Sequence, residues 1–353
     1  MTARRNDMTE RPGNVGGRPG LVEHEVDVLS EVLRAVRLSG AVYFNVSAST
    51  PWVAEAPDAR ELAPYVMPGS EHVIEYHVVM KGACWAGLIG EPGVYLEAGD
   101  IIVFPQGDAH VLASAEGMRG PVDVEFVRRS SRQRLPLRLE YGGSGRDPVQ
   151  IVCGFLACDA RPFNPLLTTL PRMLYMKKSG GGYSAMLEQF MSCAMAESRI
   201  PRAGGEVVLA RLSELMFVEV VREYIASRDA IGRGWLSGLR DEIVGRALAA
   251  LHARPAHGWT LESLAHAVGA SRSALAARFV AYVGLPPMQY LAHWRMQLAA
   301  TLLAGPSTLA SIAEEVGYGS EAAFSRAFKK IVGVAPARWR TARAGGARSA
   351  RRP

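Results

Sequence analysis

The chain has 353 residues, of which 48% are hydrophobic and 21% are charged. This length suffices for about two domains with their own cores, and the composition excludes a small disulfide scaffold and a wholly disordered chain. The N-terminus lacks the apolar core of a secretion signal, and no run of about eighteen apolar residues occurs, so we expect a cytoplasmic protein without a membrane partner. The four cysteines are then expected to be reduced thiols, metal ligands or redox sensors.

Charge is distributed unevenly along the chain. Residues 232–353 contain sixteen lysines and arginines against six aspartates and glutamates, whereas the rest of the chain is net acidic. A basic segment of this kind favours a polyanionic partner, with nucleic acid as the first candidate and an acidic membrane surface as the second. Charge alone does not decide between the two.

The N-terminal part is predicted to be an arm followed by a β-rich domain. Residues 1–20 have no hydrophobic period and predict a flexible arm. Residues 21–170 predict an effector domain, because seven short β-rich runs, separated by glycine and proline, fall between residues 41 and 158. One of these runs is VDVEFV, at residues 122–127. Such spacing is typical of a β-sandwich or a small barrel.

After Pro171 the hydrophobic period becomes helical. Residues 171–231 contain two amphipathic segments, and the second, GEVVLARLSELMFVEVVREYIAS, is apolar around most of its circumference. A helix of this kind is expected to be buried on more than one side, against the β-rich domain and against a second copy of the chain. We therefore predict a homodimer formed through this segment. The alternative is that a single domain core buries the whole helix.

The most specific feature is an internal duplication. The segment TLESLAHAVGASRSALAARFVAYVGLPPMQYL, from Thr260, aligns with TLASIAEEVGYGSEAAFSRAFKKIVGVAPARW, from Thr308, with one additional residue in the second turn. Each copy predicts a short helix, a turn that contains a glycine (Gly269 or Gly317) and a second helix that starts at a serine. This is the plan of a helix-turn-helix, whose second helix enters the major groove of DNA.

The exposed face and first turn of each second helix carry the predicted DNA contacts. Side chains placed at this surface are Arg272, Ser273 and Ala276 in the first copy and Ser320, Glu321, Ser325 and Arg326 in the second. Basic side chains predicted to contact phosphates are Arg278, Lys329, Lys330, Arg338 and Arg340. Paired amphipathic helices also form bundles that bind no DNA, but the duplication and the basic charge favour a DNA-binding domain.

These motifs carry a resemblance to a known family. Residues 240–340 closely resemble the DNA-binding domain of AraC-type transcriptional regulators, above all in EEVGYGSEAAFSRAFKKIVGVAPARWR and in the connector WRMQLA. The resemblance implies that one monomer places both second helices in adjacent segments of the major groove. It also implies control of promoters, mostly by activation in contact with RNA polymerase. We assign the domain to residues 232–342 and a basic tail to residues 343–353.

Two motifs in the β-rich domain are similar to those of cupin barrels. GDIIVFPQGDAH, which ends at His110, resembles the second cupin motif, whereas HVVMKG, which starts at His77, retains only part of the first. The complete first motif needs paired histidines and a glutamate. Because this sequence departs from that pattern, it does not favour an enzymatic metal centre. His77 and His110 remain candidate ligands of Zn²⁺ or another divalent ion, with Cys153 or Cys84 as the third. The alternative is that both histidines are ordinary hydrogen-bonded side chains.

Together the two domains resemble the cupin-type subgroup of AraC regulators. The resemblance predicts an α+β protein with an N-terminal cupin-like β-barrel, dimerisation helices and a C-terminal all-α double helix-turn-helix domain. Some relatives respond to oxidants or reactive aldehydes through cysteine, so Cys153, and after it Cys84, are candidate redox sensors beside His77 and His110. The alternatives are that these cysteines are small core side chains, and that the barrel binds a small organic effector.

We therefore predict a sequence-specific DNA-binding transcriptional regulator that is controlled by a ligand or a redox signal, acts as an activator and is not an enzyme. The rival hypothesis is a metal-dependent cupin enzyme with a helical appendage. Such an enzyme needs three or four ligands in the barrel, and the motifs supply two histidines. A DNA-architectural protein without a regulatory role is the third reading, and it leaves the barrel without a purpose.

Overall fold

The protein is described here from a computed structural model, which covers residues 26–130, 133, 135–142, 145–178, 185–199, 202–227 and 234–349. Two β-sheets with flanking helices form the N-terminal part, and helices alone form the C-terminal part, so the predicted α+β class is confirmed. The arm predicted at residues 1–20 lies outside the described residues. Within these ranges, none of the helices has the length and hydrophobicity of a membrane-spanning segment.

The N-terminal elements are α1 (Val28–Ala35), β1 (Ser39–Ala48), β2 (Val53–Ala56), α2 (Ala59–Val66), β3 (His72–Lys81), β4 (Ala83–Leu88), β5 (Val94–Glu97), β6 (Ile101–Phe104), β7 (His110–Ala113), α3 (Val124–Ser130), β8 (Leu137–Tyr141), β9 (Val149–Cys158), β10 (Leu174–Met176), α4 (Ala185–Arg199) and α5 (Gly205–Ala226). The C-terminal elements are α6 (Trp235–Arg240), α7 (Glu242–Ala253), α8 (Leu261–Ala267), α9 (Arg272–Val283), α10 (Pro287–Leu302), α11 (Leu309–Glu315), α12 (Glu321–Val332) and α13 (Pro336–Ser349).

Two sheets enclose the interior of the N-terminal domain. The first has the strand order β10-β6-β3-β9-β1-β8, and the second has the order β2-β7-β4-β5. Helix α5 packs on the first sheet at Gly40, where an added Cβ would lie 2.6 Å from the carbonyl oxygen of Ala210. Because side chains alternate along a strand, β3 sends one set of residues between the sheets and the other set toward α5.

The β-rich runs locate most strands, with one error. VDVEFV enters α3 instead of a strand, because the Asp123 carboxylate accepts a hydrogen bond from the backbone N–H of Phe126 (2.8 Å) and caps a helix. The sequence pattern also misses β2, β8 and β10. Strand β10 pairs with β6 and so extends the first sheet beyond residue 170, where the effector domain was expected to end.

Both copies of the duplication have the same local structure. Gly269 (φ 67°) and Gly317 (φ 81°) occupy the left-handed region in the turns between α8 and α9 and between α11 and α12. The Ser271 and Ser320 hydroxyls each accept a backbone hydrogen bond of 3.2 Å at the start of α9 and α12. The turn glycine and the capping serine therefore have the roles that the alignment predicts.

The two turn glycines are expected to differ in their tolerance of a side chain. At Gly317 an added Cβ would lie 2.5 Å from the backbone oxygen of Ala256, whereas at Gly269 no heavy atom lies within 4 Å. Gly269→Ala is expected to cost about 1–2 kcal/mol of unfolding free energy for its positive φ, and Gly317→Ala about 3 kcal/mol or more because of the added clash. Chemical denaturation of both variants measures the difference, and equal losses would contradict the close contact.

The two helix-turn-helix copies have separate cores. Phe279 of the first copy belongs to a cluster that includes Trp235 and continues into the N-terminal domain. Phe328 of the second copy packs with Trp339 in a cluster of its own. Helix α10 joins the copies, and its buried Gln297 accepts a hydrogen bond from the backbone of residue 163 (3.0 Å) and donates one to that of residue 35 (2.9 Å). The first copy is thus attached to the N-terminal domain through both apolar and polar contacts.

The end of the chain is more ordered than its composition suggests. Helix α13 continues to Ser349, so the first part of the basic tail predicted from residue 343 is helical. Arg343 lies in this helix and donates hydrogen bonds to Asp159 (3.1 Å) and Glu71 (2.9 Å) of the N-terminal domain. Residues 350–353 lie outside the described ranges.

Candidate DNA interface and effector cavity

The second helix of each copy has one buried face and one exposed face. Leu275 and Phe279 of α9, and Phe324 and Phe328 of α12, are fully buried. The predicted DNA-contacting residues lie on the other face or at the helix start. Those that are exposed are Arg272, Ser273, Ser320, Glu321, Arg326, Lys329 and Lys330, and those that are half-buried are Ala276 and Ser325. Each copy therefore presents polar and basic side chains to solvent from a helix anchored by large apolar residues.

Two arginines predicted as phosphate contacts have partners within the protein. A guanidinium nitrogen of Arg278 lies 2.7 Å from a carboxylate oxygen of Asp241, which also accepts the backbone N–H of Val244 and caps α7. Arg340 donates hydrogen bonds to the carbonyl oxygens of Leu303 (3.2 Å) and Ser307 (2.6 Å). Both side chains thus hold helices of the domain together, which the sequence pattern does not reveal.

The N-terminal domain contains a cavity of about 470 Å³. Its wall is mostly apolar and includes Phe44, Val46, Trp52, Leu62, Leu112, Phe126, Ile151 and Phe155. Glu75 and His77 of β3 and Cys153 of β9 also line it and supply polar groups. A cavity of this size and character suits a small organic molecule, which is held by apolar walls and oriented by a few polar groups.

Three buried side chains meet at the polar wall of this cavity. The Nε2 atoms of His77 and His110 lie 2.6 Å apart, and Glu75 Oε2 lies 3.7 Å from His110 Nε2. His110 Nδ1 donates a hydrogen bond of 2.8 Å to the carbonyl oxygen of Asp108, which places the remaining lone pair of that ring on Nε2, toward His77. One ligand atom from each of the three residues lies within 4.8 Å of the others.

Burial sets the protonation state of these groups. It lowers the pKa of His110 to about 4, and with the neighbouring His110 ring it holds the pKa of His77 well below its ordinary value. Both rings are therefore neutral at pH 7, which is the form that binds metal ions. Burial raises the pKa of Glu75 well above its ordinary value, because a buried carboxylate loses its hydration.

The cluster fits a divalent metal ion. Glu75 Oε1 and His77 Nδ1 are buried and have no hydrogen-bond partner within the described part of the chain. Two imidazoles and a carboxylate are also a donor set that first-row divalent ions accept. The structure thus brings His77 and His110 together as predicted, but it supplies Glu75 as the third group where the sequence suggested Cys153 or Cys84.

Glu75 is not among the ligands predicted from the sequence, although its spacing from His77 could have indicated it. Residues two apart on a strand share a face, so Glu75 and His77 must lie side by side on β3. Matching the first cupin motif on its histidines alone does not identify the glutamate at this position.

The cysteines lie near the cluster but have unreactive surroundings. Cys153 is directly opposite His77 on the neighbouring strand, yet its sulfur is not among the mutually close ligand atoms. Burial raises the pKa of the Cys153 thiol above its ordinary value, and it raises the pKa of Cys84 to about 12. Both are therefore protonated at neutral pH, whereas the thiolate is the form that reacts with oxidants. Cys193 is exposed.

The chain is similar to known proteins over both domains. Residues 27–226 match a family model described as Cupin, and residues 264–342 match one described as Helix-turn-helix domain. A putative AraC-like transcription regulator from Streptomyces lividans is 35% identical over 89% of this chain and 98% of the relative. The RCS-specific HTH-type transcriptional activator RclR from Escherichia coli K12 is 26% identical over 89% of this chain and 97% of the relative.

Among solved structures, the DNA-binding domain of AdpA in complex with a target DNA is 26% identical and covers 29% of this chain and 92% of that one, with a TM-score of 0.28. Both relatives carry the names of transcription regulators. The Streptomyces relative, at 35% identity over nearly its full length, decides the family. This chain therefore belongs to the AraC-type transcriptional regulators, with an N-terminal cupin domain and a C-terminal DNA-binding helix-turn-helix domain.

Proposed function

We propose that this regulator binds promoter DNA with both helix-turn-helix copies and activates transcription there. A signal that binds in the N-terminal cavity controls this activity. The observation that carries the proposal is the matched pair of helices, α9 and α12, each capped by a serine and each exposing polar and basic side chains. Activation is supported by the name of the RclR relative, a transcriptional activator. Contact with RNA polymerase is what the resemblance to AraC-type regulators implies.

The proposed DNA contacts are of two kinds, contacts to base edges and contacts to phosphates. Arg272, Ser273, Ala276, Glu321, Ser325 and Arg326 lie along the first two turns of their helices and are assigned to the base edges. Ser320 caps α12 through its hydroxyl oxygen, so we assign it to positioning of the helix at the DNA surface. Lys329 and Lys330 lie in the last turn of α12 and are assigned to phosphates.

The signal that we favour is a small molecule or a metal ion at the cavity. The apolar walls and the Glu75, His77 and His110 cluster support this choice. A direct oxidant signal at Cys153 or Cys84 remains the second candidate, because the RclR relative is named for its response to RCS. The raised thiol pKa values of both cysteines count against it.

Helix α5 supports a homodimer. Its inner face is buried on the first sheet, but Val208 and Leu215 on the outer face are 45% and 46% exposed, and they are seven residues apart. Half-buried Val218, three residues further on, completes the a/d spacing of a helix that pairs with another helix. We assign this stripe to the α5 helix of a second copy.

Leu215→Asp is expected to weaken the dimer by about 10- to 100-fold, because the two half-exposed Leu215 side chains together contribute roughly 1.5–3 kcal/mol when the interface buries them. Sedimentation equilibrium of the full chain measures the change. Val122→Asp, at another exposed valine (42%), is the control and should leave the association unchanged. A monomeric wild-type protein at high micromolar concentration would contradict the dimer.

The experiment that tests the proposed function is selection of bound fragments from a genomic library, followed by transcription in vitro from the recovered promoters. We expect a shared sequence motif and increased transcription on addition of the protein. Random fragments without a motif would contradict sequence-specific regulation. A shared motif together with reduced transcription would contradict activation but not sequence-specific binding.

A further inference from the structure

Arg343 of α13 is bound by two carboxylates of the N-terminal domain. Its guanidinium donates hydrogen bonds to Asp159 (3.1 Å) and Glu71 (2.9 Å), and its side chain is only 16% exposed. Hydrogen bonds between charged groups are stronger than neutral ones, and partial burial protects them from screening by salt. We call Arg343, Glu71 and Asp159 the latch, because they join the N-terminal domain to the end of the DNA-binding domain.

The latch is connected to the second helix-turn-helix copy through an aromatic ring. The Arg343 guanidinium lies over the ring of Trp339, 5.0 Å from its centroid, and Trp339 packs against Phe328 of α12. Both aromatic residues belong to the core of the second copy, which is separate from the core that the first copy shares with the N-terminal domain. A displacement of Arg343 therefore reaches α12 through side chains in direct contact.

The two carboxylates of the latch lie at the ends of strands that form the cavity wall. Glu71 immediately precedes β3 and Asp159 immediately follows β9. The terminal residues of these two strands, His72 and Cys158, are paired with each other. Both strands contribute side chains to the cavity. Because hydrogen-bonded strands move together, a shift of this strand pair when the cavity is filled displaces both carboxylates.

The latched arrangement leaves the DNA-contacting surface of α12 open. Arg326 and the two lysines of α12 are exposed while Arg343 is bound to the N-terminal domain. The latch therefore does not cover α12, and it acts on where α12 lies relative to α9. Arg295 of α10 also joins the two copies, because it donates hydrogen bonds to the carbonyl oxygens of Pro255 (2.7 Å) and Gly317 (3.3 Å). Loss of the latch is thus expected to loosen the second copy without releasing it.

We propose that the latch positions α12 relative to α9, so that the state of the cavity sets the spacing of the two DNA segments that one chain binds best. Arg343 is a positioning residue, since it acts through Trp339 and Phe328. Spacing matters because each added base pair rotates the second major-groove segment by about 35° around the DNA axis. The link to the cavity and the use of two DNA segments rest on the proposed function, whereas the contact between the domains does not.

The test compares affinity for the promoter site selected from the genomic library with affinity for the same site carrying two extra base pairs between its protected segments. We expect the insertion to weaken binding by the wild type, and we expect this loss to shrink by about fivefold or more in Arg343→Gln. Asp159→Asn should have the same effect, and the double variant should add nothing further. Arg343→Lys keeps the charge without the planar fork and should retain part of the spacing selectivity.

Charge alone predicts a different pattern, which provides the control. Removing a carboxylate strengthens binding to DNA and removing an arginine weakens it, whereas the latch predicts that Asp159→Asn and Arg343→Gln change spacing selectivity in the same direction. Arg129→Gln and Glu97→Gln, at exposed positions of the N-terminal domain, make the same charge changes and should leave the loss on insertion unchanged. Circular dichroism verifies that each variant is folded.

Amide hydrogen exchange measures both ends of the connection. In the free chain, Arg343→Gln should increase exchange in α13, which tests the latch without DNA. On addition of the selected site, exchange in β3 and β9 should change in the wild type and not in Arg343→Gln, because coupling between two binding sites is reciprocal.

Three results would overturn the latch: unchanged exchange in α13 of Arg343→Gln, an unchanged loss on insertion in folded Arg343→Gln and Asp159→Asn, or effects of these two substitutions that add. Exchange in β3 and β9 that does not respond to DNA in the wild type would overturn the link to the cavity. If the chain selects no promoter site, the proposed function fails, and exchange in α13 still decides the latch. Selective DNA binding together with unchanged exchange in α13 would remove the latch alone.

Discussion

Phe328→Ala is expected to lower the free energy of unfolding by about 3–5 kcal/mol, because it removes a fully buried aromatic ring and leaves a cavity. Phe328 lies between Phe324 and Trp339, with ring centroids 5.6 Å and 6.0 Å away. This small cluster is the core of the second helix-turn-helix copy and is separate from the core of the first. Because the two cores are separate, the loss falls on the second copy.

Urea denaturation, followed by the near-ultraviolet circular dichroism of the aromatic residues, measures this effect. Lys330→Ala, an exposed position on the same helix, is the control and should change stability by no more than about 0.5 kcal/mol. A loss below about 1 kcal/mol for Phe328→Ala would mean that α12 does not depend on this core, contrary to the packing described above.

Arg326→Ala is expected to reduce affinity for the selected promoter site by about 1–3 kcal/mol and to relax selectivity at the base that Arg326 reads. Arg326 is exposed on the second turn of α12, on the face opposite Phe324 and Phe328. Competition binding with cognate and random DNA measures both quantities.

Lys329→Ala provides the comparison on the same helix. Lys329 is exposed in the last turn of α12, so its loss should weaken binding to all DNA about equally and reduce the slope of affinity against salt by about one. If Arg326→Ala also weakened cognate and random DNA equally, Arg326 would be a phosphate contact and not a base reader.

The helix-turn-helix copies could be predicted from sequence because their determinants are local. Gly269, Ser271 and their counterparts Gly317 and Ser320 each act on the few residues that follow or precede them, and a duplicated segment repeats the whole signal. By contrast, the ion pair between Arg278 and Asp241 joins residues 37 positions apart. Nothing in the spacing of the helix marks that arginine as different from Arg326.

In the N-terminal domain, strands and the cavity likewise depend on contacts between residues that are distant in sequence, which local patterns do not predict. Short strands such as β10 are stabilised by pairing with β6, which is distant in sequence, and the three residues of β10 have no alternation to detect. VDVEFV has alternation, but the Asp123 cap and the basic residues that follow favour a helix. The Glu75 and His110 cluster depends on two sheets facing each other, which no local pattern specifies.

Glu75 also changes the comparison with the rival hypothesis of a cupin enzyme. With three converging groups, the number of ligands no longer argues against a reactive metal centre. The decision rests instead on the second domain and on relatives that are regulators across nearly their whole length.

The central claim, that one chain reads DNA with two matched helices, is tested most directly by footprinting on the selected promoter site. We expect each chain to protect two major-groove segments about one helical turn apart, with Arg272→Ala removing contacts in one segment and Arg326→Ala in the other. A single protected segment, or the loss of the same contacts in both variants, would contradict it.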